Sequence, residues 1–313
     1  YSEQRAVVYD SIGPGLGQYR YDSEFNAYIS DHNGAYIAYT VQTGQRHPTT
    51  VVESVQRLAY DFGKMKGLPD VLVRSDTRID FRGNHFQGAG LLEPDLKDSS
   101  LARARLVSRM ELDFYGLNRA LSWVEVQQSF SGLDPRGNDL ESSWETGADI
   151  TRHLTRSLAL QAKSRYRSKE IRSTVSVMRD RSVEGWWQEM HLLLHGNKTA
   201  DMDFVILGGE DKGLQQEKSY SAQALGFAFD GRIFIRRTGR IQTRIERANV
   251  TANRDAIYLP PEALNGYPLG TGIRSNTRLQ YFINHSISIT LSMNTIRDSR
   301  YKKLTTFLGE IRA

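Results

Sequence analysis

The sequence of 313 residues contains no cysteine and only eight prolines. Without cysteine the chain cannot form disulfides, thiolate zinc sites or iron–sulfur clusters, and it has no cysteine nucleophile. Its longest uninterrupted apolar run is residues 35–39, far short of the ~20 residues that a transmembrane helix needs. These absences exclude a disulfide-stapled protein and a helical membrane protein. The 39% hydrophobic and 25% charged content is that of a folded chain.

The sequence also lacks a strong excess of either positive or negative charge. The net charge is +5, from 41 basic and 36 acidic residues, and basic and acidic residues alternate within short segments such as Arg74, Asp76, Arg78 and Asp80. Nucleic-acid-binding proteins usually cluster Lys and Arg on a face without acids. We therefore expect no nucleic-acid partner.

Period-two alternation of apolar and polar residues recurs from about Val51 to the end of the sequence. In residues 71–82, Val71, Val73, Ile79 and Phe81 alternate with Arg and Asp, and the pattern repeats in residues 103–114, 201–206, 240–246 and 286–293. Such alternation is typical of β-strands, because successive side chains point to opposite faces. Turn-forming sequences separate the segments, which predicts an all-β, antiparallel up-and-down meander of about 12–14 strands.

Alternation alone leaves two folds open, a soluble β-sandwich or β-meander and a transmembrane-type β-barrel. Strands of about ten residues and an Arg-rich polar face favour the barrel. Small residues predicted on the outer face, Ala102, Ala104, Ala222, Ala224, Gly226 and Ala228, would fill a sandwich core poorly. Aromatic residues near the strand ends are candidates for interfacial girdles: Tyr115, Trp123, Trp144, Trp186, Trp187, Tyr258 and Tyr267.

The first 48 residues differ from the rest, with a Gly-Pro-Gly-Leu-Gly stretch at residues 13–17 and many tyrosines. We predict a lead-in segment over residues 1–48, with two short strands around residues 5–9 and 34–40, and a closed β-barrel over residues 49–313. Pro48 marks the boundary.

The last ninety residues carry Leu-Pro-Pro-Glu at 259–262, Gly266 and Gly270, a hairpin at 284–285, and strands at 287–293 and 304–313. Together with the lead-in motifs at residues 13–22 and 31–36, they resemble the C-terminal barrel of large surface proteins of Bacteroidetes-like bacteria. The resemblance implies a bacterial outer-membrane β-barrel in a Gram-negative cell envelope, with outer-membrane lipid and other envelope proteins as partners.

None of the candidate chemical motifs in the sequence has the spacing that an active site or a ligand site needs. The glycine spacing at residues 13–17 does not match a dinucleotide-binding loop, and residues 31–34 lack the ligand positions of a calcium loop. Asn284, His285 and Ser286 contain the residue types of a phospholipase site, but adjacent strand residues point to opposite faces. His191 and His195 are about 13 Å apart along a strand, too far to share a metal, and Asp201 and Asp203 are interpreted as salt-bridge partners. We expect no enzyme activity and no cofactor.

The alternation assigns residues to two faces of the predicted barrel. The lumen-lining set is Arg74, Asp76, Arg78, Asp80, Arg103, Arg105, Arg109, Glu111, Asp113, Arg240, Arg244 and Glu246. The lipid-facing set is Leu106, Met110, Phe204, Ile206, Ile241, Ile245, Ile287, Ile289 and Leu291. The predicted function is that of a porin-like pore, a transport element or a membrane anchor of a larger envelope protein. The alternative is a soluble β-domain that binds carbohydrate or protein.

Overall fold

A computed structural model describes residues 2–23, 26–65, 70–86, 88, 91, 95–97, 101–116, 118–175, 180–196, 199–215, 218–235, 238–253, 259–283, 287–299 and 301–312. The strands are β1 (Ser2–Ser11), β2 (Gly17–Asp22), β3 (Ala27–Gly34), β4 (Tyr36–His47), β5 (Thr50–Asp61), β6 (Val71–Gly83), β7 (Leu101–Phe114), β8 (Arg119–Asp134), β9 (Gly137–His153), β10 (Leu158–Ser173), β11 (Arg181–Gly196), β12 (Ala200–Gln215), β13 (Lys218–Ile235), β14 (Gly239–Ala252), β15 (Gly270–Phe282), β16 (Ser288–Arg297) and β17 (Leu304–Arg312). In the described part of the chain, 3-10 turns include those at Phe62–Lys64 and Ala263–Gly266.

The strands form two sheets. The first is a four-stranded sheet in the order β1-β4-β2-β3, and the second is a 13-stranded sheet in which β5 to β17 follow one another in chain order. Every pairing in the large sheet is antiparallel. The predicted antiparallel meander is therefore present. The lead-in, expected to contain two short strands, contains four.

The register of the large sheet separates charged from apolar side chains. Paired residues in an antiparallel ladder point to the same face, so the register fixes the face of each side chain from strand to strand. Asp76 pairs with Arg109, and Arg109 pairs with Glu125. On the opposite face Met190 pairs with Ile206, and Ile206 pairs with Phe227. We call these two surfaces the charged face and the apolar face.

The two ends of the large sheet differ in their connections. At one end the strands are joined by residues 84–100, 135–136, 174–180, 216–217, 253–269 and 298–303. At the other end they are joined by residues 62–70, 115–118, 154–157, 197–199, 236–238 and 283–287. The first end, which has the two longest connections, is called the loop end, and the second is called the turn end. The chain passes from the four-stranded sheet into the large sheet at the loop end, because β5, the first strand of the large sheet, begins there.

The four-stranded sheet contacts the large sheet at the β8–β9 turn. A guanidinium nitrogen of Arg136 lies 3.4 Å from the hydroxyl of Tyr19, and Arg136 is itself held by Asp134 at 2.7 Å. Tyr9 stacks on Tyr28 with ring centroids 3.9 Å apart, and Tyr19 meets Tyr9 edge to face. The tyrosines of the lead-in therefore form a packed aromatic cluster beside the loop end.

The large sheet ends at β5 on one side and at β17 on the other. No pairing between these two strands is present among the described residues, so closure into a barrel stays a prediction. Because the number of antiparallel strands is odd, β5 and β17 run in the same direction. Direct closure of this sheet would therefore need one parallel pairing. Among the described residues no helix is long and apolar enough to cross a membrane.

Candidate functional site

The charged face contains all twelve residues of the predicted lumen-lining set. Across β6 and β7 the register pairs Arg74 with Glu111, Asp76 with Arg109, and Asp80 with Arg105. On β14, Arg244 and Glu246 share this face, because they pair with Asp230 and Ala228 of β13. The two groups of residues, on β6–β7 and on β14, therefore lie on the same face of the sheet, although they are several strands apart.

Arg109 is the centre of the ion-pair network on β6–β8. Its Nε donates to Glu111 at 2.8 Å, and one Nη donates to Glu125 at 3.2 Å. Its guanidinium carbon lies 4.4 Å from the ring centroid of Trp123. The planar guanidinium therefore satisfies two carboxylates and stacks on an aromatic ring, a combination that lysine could not make.

The remaining members of the predicted set are also paired, with one exception. Asp113 accepts two hydrogen bonds of 2.8 Å from Arg119, and Asp76 accepts from Arg57 and Arg78 at 3.1 and 3.0 Å. Further contacts are Arg74–Glu111, Arg103–Asp80, Arg240–Gln280 and Arg244–Glu246. Arg105 is exposed and makes no side-chain hydrogen bond or ion pair with the described residues. It lines an open cavity of about 920 Å³ over β5–β8.

A second charged region on β9 and β10 was missed by the sequence prediction. Lys163, Arg165, Arg167 and Lys169 occupy the charged face of β10, and their cross-strand neighbours on β9 include Asp149 and Glu145. Lys169 lies 2.9 Å from Glu141, and Arg165 lies 3.5 Å from Glu145. The signal was present in the sequence as the same period-two alternation, with bases on one strand and acids on its neighbour.

Residues 259–269 fold back over the charged face of β10–β13, and we call them the inner loop. Glu262 receives a forked pair of contacts from Arg181, at 2.8 Å from Nη2 and 3.1 Å from Nε, and lies 3.7 Å from Lys169. Tyr267 stacks on Trp187 with ring centroids 5.9 Å apart. The guanidinium carbon of Arg274 lies 4.3 Å from the centroid of the Tyr267 ring. The inner loop is therefore held by salt bridges, a stacked ring pair and a cation–π contact.

The backbone of the inner loop is strained where it meets the charged face. Leu264, Asn265 and Gly266 have φ values of 47°, 56° and 74°, in the left-handed region that is unfavourable for leucine. Each is tied to a charged side chain: the Leu264 amide donates to Asp211 at 2.5 Å, Arg165 donates to Asn265, and Arg274 donates to the Gly266 carbonyl at 2.7 Å. Charged-face residues thus stabilise a turn that the local sequence disfavours.

Small residues beneath the inner loop correct one sequence prediction. Ala222, Ala224, Gly226 and Ala228 were expected on the outer face, but the register places them on the charged face, opposite Val205 and Leu207. They pack with Ala263 and Leu264 of the inner loop, which are 0% and 1% exposed. Larger side chains there would occupy the space of the inner loop, so their small size makes room for it. Ala104 does lie on the apolar face, but Phe81, Leu91 and Phe130 bury it.

The ionisable groups of the inner loop are shifted by burial and by their partners. Burial is the largest single influence and opposes ionisation of the Glu262 carboxyl. The hydrogen bonds from Arg181, a backbone hydrogen bond and the positive charges of Arg181 and Lys169 together outweigh it, so the pKa of Glu262 lies below its usual value. Burial raises the pKa of Tyr267, and the nearby carboxylate of Glu246 raises it further. At neutral pH Glu262 is therefore charged and Tyr267 is a neutral phenol.

The predicted lipid-facing set lies on the apolar face, with one residue outside a strand. Leu106, Phe204, Ile206, Ile241, Ile245, Ile289 and Leu291 follow the apolar register together with Met110. Several are well exposed: Met110 54%, Phe204 45%, Ile206 63%, Ile245 43% and Leu291 51%. Ile287, predicted as part of the strand, precedes β16, which begins at Ser288.

The predicted aromatic girdle is only partly on the apolar face. Trp144, Tyr166 and Trp186 share that face on β9–β11, with centroid separations of 4.9 and 4.8 Å. Trp123 and Trp187 instead lie on the charged face, where they contact Arg109 and Tyr267. Tyr115 lies beside the turn end and donates to Asp61 at 2.6 Å, which raises its pKa to about 12. Tyr258 lies outside the described residues.

The two histidines considered for metal binding contact carboxylates, among them the two aspartates that were interpreted as salt-bridge partners. His191 is flanked by Asp203 at 2.9 Å and Glu189 at 3.1 Å, and His195 lies 3.2 Å from Asp201. No cluster of three or more His, Asp or Glu side chains suited to a metal ion occurs in the part of the chain that the structure describes. The motif at residues 284–286 lies outside the described residues.

Comparison with known proteins identifies the fold. No known protein family matches the chain, and no curated protein sequence matches it. The open form of the ferric-catecholate import receptor Fiu from E. coli K12 aligns with a TM-score of 0.50 at 9% identity, covering 90% of this chain and 59% of the receptor. Its closed form gives 0.47 at 8% identity, covering 88% and 54%, and CdiB from Acinetobacter baumannii gives 0.43 at 9%, covering 99% and 59%.

The chain spans less than two thirds of the length of these neighbours. They are outer-membrane β-barrel proteins. At 9% identity the likeness to the open receptor shows the fold alone. The chain therefore shares its antiparallel fold with the wall of an outer-membrane β-barrel.

Proposed function

We propose that the chain is the membrane-spanning wall of a bacterial outer-membrane β-barrel, with the apolar face against lipid and the charged face around a wet interior. It acts as a pore, as a transport element or as the membrane anchor of a larger envelope protein. The observation that carries this proposal is the segregation of charge. In the thirteen-stranded sheet most ion pairs lie on the charged face, while exposed Leu, Ile, Phe and Met side chains occupy much of the other.

The energetics of a bilayer explain this segregation. An Arg or Lys facing lipid at the midplane costs roughly 2–4 kcal/mol, whereas the same side chain in a wet interior costs little. In a soluble β-sandwich the apolar face would be covered by a second sheet. Among the described residues no second sheet covers Phe204, Ile206 or Met190, and Met190 is 64% exposed. The exposed apolar surface favours the barrel over the soluble alternative.

The position of the inner loop favours a barrel interior that is partly filled rather than fully open. It occupies the charged face of β10–β13, whereas the charged face of β5–β8 borders the open cavity of about 920 Å³. A solute or ion passing along the interior would therefore follow the mixed-charge side. With bases and acids interleaved there, we expect weak ion selectivity with a slight preference for anions, or no conductance where side chains fill the bore.

The orientation follows from the connections. Outer-membrane barrels have short periplasmic turns and longer extracellular loops, so we propose that the loop end faces outside and the turn end faces the periplasm. The four-stranded sheet then lies at the outer surface. The likeness to surface proteins of Bacteroidetes-like bacteria, and partnership with other envelope proteins, remain predictions.

Membrane insertion followed by conductance tests the proposal. Purified protein should need detergent and should float with phosphatidylcholine liposomes, because the apolar face has no other cover. In planar bilayers, Arg105→Glu should move the reversal potential toward cation selectivity, since Arg105 lies on the charged face without a side-chain partner among the described residues. Lys212→Glu is the matched control, because Lys212 is 67% exposed on the apolar face.

Two results would contradict the proposal. Protein that stays soluble and monomeric without detergent would favour the β-sandwich. Channels whose selectivity follows Lys212→Glu and ignores Arg105→Glu would show that the charged face does not line the pore.

A further inference from the structure

Two arginines without a side-chain partner among the described residues lie on the apolar face near the loop end. Arg247 of β14 pairs with Ile273 of β15, and Ile273 pairs with Arg297 of β16. The three side chains therefore lie on one rung of the ladder, with the two arginines on either side of Ile273. Because neighbouring strands are about 4.8 Å apart, the two arginine backbones are separated by about 10 Å.

Both arginines are exposed, and neither makes a side-chain hydrogen bond or ion pair with the described residues. The nearest outward carboxylate along the ladder is that of Glu210, two strands away from Arg247 and four residues further along. That displacement corresponds to about 16 Å between backbones. This isolation contrasts with the charged face, where almost every arginine of the predicted set has a carboxylate or amide partner.

The two arginines mark the loop-end boundary of the apolar surface. On β14 the outward side chains are Ile241, Thr243 and Ile245, followed by Arg247, Asn249 and Thr251 toward the loop end. On β16 the outward order is Ile289, Leu291 and Met293, followed by Thr295 and Arg297. An arginine at such a boundary can lay its methylene stem on the apolar surface and place its guanidinium in the headgroup layer.

We propose that Arg247 and Arg297 form a binding site for the phosphate groups of an anionic lipid in the leaflet at the loop end. This inference rests on the proposed function, because it needs the apolar face to contact lipid. The guanidinium matches phosphate geometry with paired N–H donors. Ile273, 39% exposed between the arginines, offers an apolar contact for the lipid below its headgroup.

The chain offers a matched control pair on the same face and near the same end. Arg172 and Lys212 are 61% and 67% exposed, but Arg172 is paired with Glu170 at 2.7 Å and Lys212 with Glu184 at 4.0 Å. Removing either pair of cations changes the net charge by the same amount. A difference between the two double variants therefore reports on position and pairing rather than on total charge.

The test measures binding of fluorescently labelled phosphatidylglycerol and phosphatidylcholine to the full chain in detergent micelles. Wild type and R172Q/K212Q should prefer phosphatidylglycerol by about tenfold or more, since two guanidiniums without protein partners attract its negative headgroup. R247Q/R297Q should lose that preference. An unchanged preference in R247Q/R297Q, or an equal loss in R172Q/K212Q, would overturn the lipid site.

Flotation with pure phosphatidylcholine liposomes distinguishes a wrong lipid site from a wrong proposed function. If wild type and R247Q/R297Q both float and bind phosphatidylglycerol equally, the barrel proposal stands and the lipid site is wrong. If wild type does not float, the apolar face does not contact lipid, and both proposals are wrong.

Discussion

At the scale of single residues, Glu262 makes several electrostatic contacts between the inner loop and the sheet. Its carboxylate is met by Arg181 and Lys169, and its own carbonyl accepts a hydrogen bond from Arg167. Removing one partner of a largely buried ion pair leaves the other charge without compensation, which costs more than the intact pair contributes. We therefore expect Glu262 to contribute to holding the inner loop on the charged face.

We predict that Glu262→Gln lowers the free energy of opening the inner loop by about 1.5–3 kcal/mol, the usual contribution of a hydrogen bond to a charged group. Hydrogen exchange of residues 259–269 measures this opening. Glu170→Gln is the control, since Glu170 forms an exposed ion pair with Arg172 on the apolar face. Equal exchange in wild type and Glu262→Gln would show that the salt bridge does not hold the inner loop.

The same residue predicts a pH dependence. Because the pKa of Glu262 is lowered in the folded protein, its stabilisation is present above the ordinary glutamate pKa of about 4.3 and is lost as the pH falls through the lower folded pKa. Protection of the inner loop, corrected for the intrinsic effect of pH on exchange, should fall in that acidic range. Glu262→Gln should show no such change there.

At the scale of elements, β5 and β17 are the two free edges of the sheet. Val55 and Leu58 are 61% and 71% exposed, and Phe307 and Ile311 are 77% and 72% exposed. Long apolar edges pair with another strand or aggregate unless they are covered. Closure of the barrel through these edges is therefore the arrangement that best removes the exposed backbone and side chains.

We predict that the two edges meet within one molecule. Leu58→Cys combined with Phe307→Cys, Gly309→Cys or Ile311→Cys should give a disulfide for at least one pair, because the chain has no native cysteine and neighbouring strands lie within disulfide reach. Non-reducing electrophoresis of the protein in detergent measures it. Leu58→Cys with Phe227→Cys, on β5 and β13, is the control and should remain reduced. Disulfide-linked dimers alone would show that the edges pair between copies.

At the scale of the whole molecule, the loop end and the turn end present different surfaces. Toward the loop end the apolar face becomes polar, with Glu184, Glu210 and Lys212 pointing outward on β11 and β12. At the turn end the apolar side chains continue to the strand ends, as with Leu194 and Met202. Arg152 on β9 is an exception, because it pairs with Leu160 and points outward near the turn end. The outward polar side chains are nevertheless more numerous toward the loop end, as proposed for the outer side of a barrel.

This asymmetry predicts the orientation in cells. Ser299→Cys, in the 298–303 connection at the loop end, should react with a membrane-impermeant maleimide on intact cells. Thr155→Cys, in the 154–157 connection at the turn end, should react only after the outer membrane is permeabilised. The cysteine-free wild type gives the background. Labelling of Thr155→Cys alone on intact cells would reverse the proposed orientation.

The sequence by itself determined which side chains share a face. In a strand this depends only on whether positions differ by an even or an odd number, so Arg74 to Asp80, Arg103 to Asp113 and Arg240 to Glu246 could be assigned locally. The same rule would have found Lys163 to Lys169. Strand boundaries were less well determined, as Ile287 and the additional strands β2 and β3 show, because turns and short irregular strands give weak local signals.

Only the tertiary structure decided which part of the charged face is open and which is filled. Ala222, Ala224 and Ala228 are apolar, and hydrophobicity placed them on the lipid side, but their faces depend on the register with β12 and β14. The inner loop meets β10–β13 across as many as 100 residues of sequence, as between Arg165 and Asn265. Its burial comes from packing between these distant segments, so the periodicity within any one segment could not predict it.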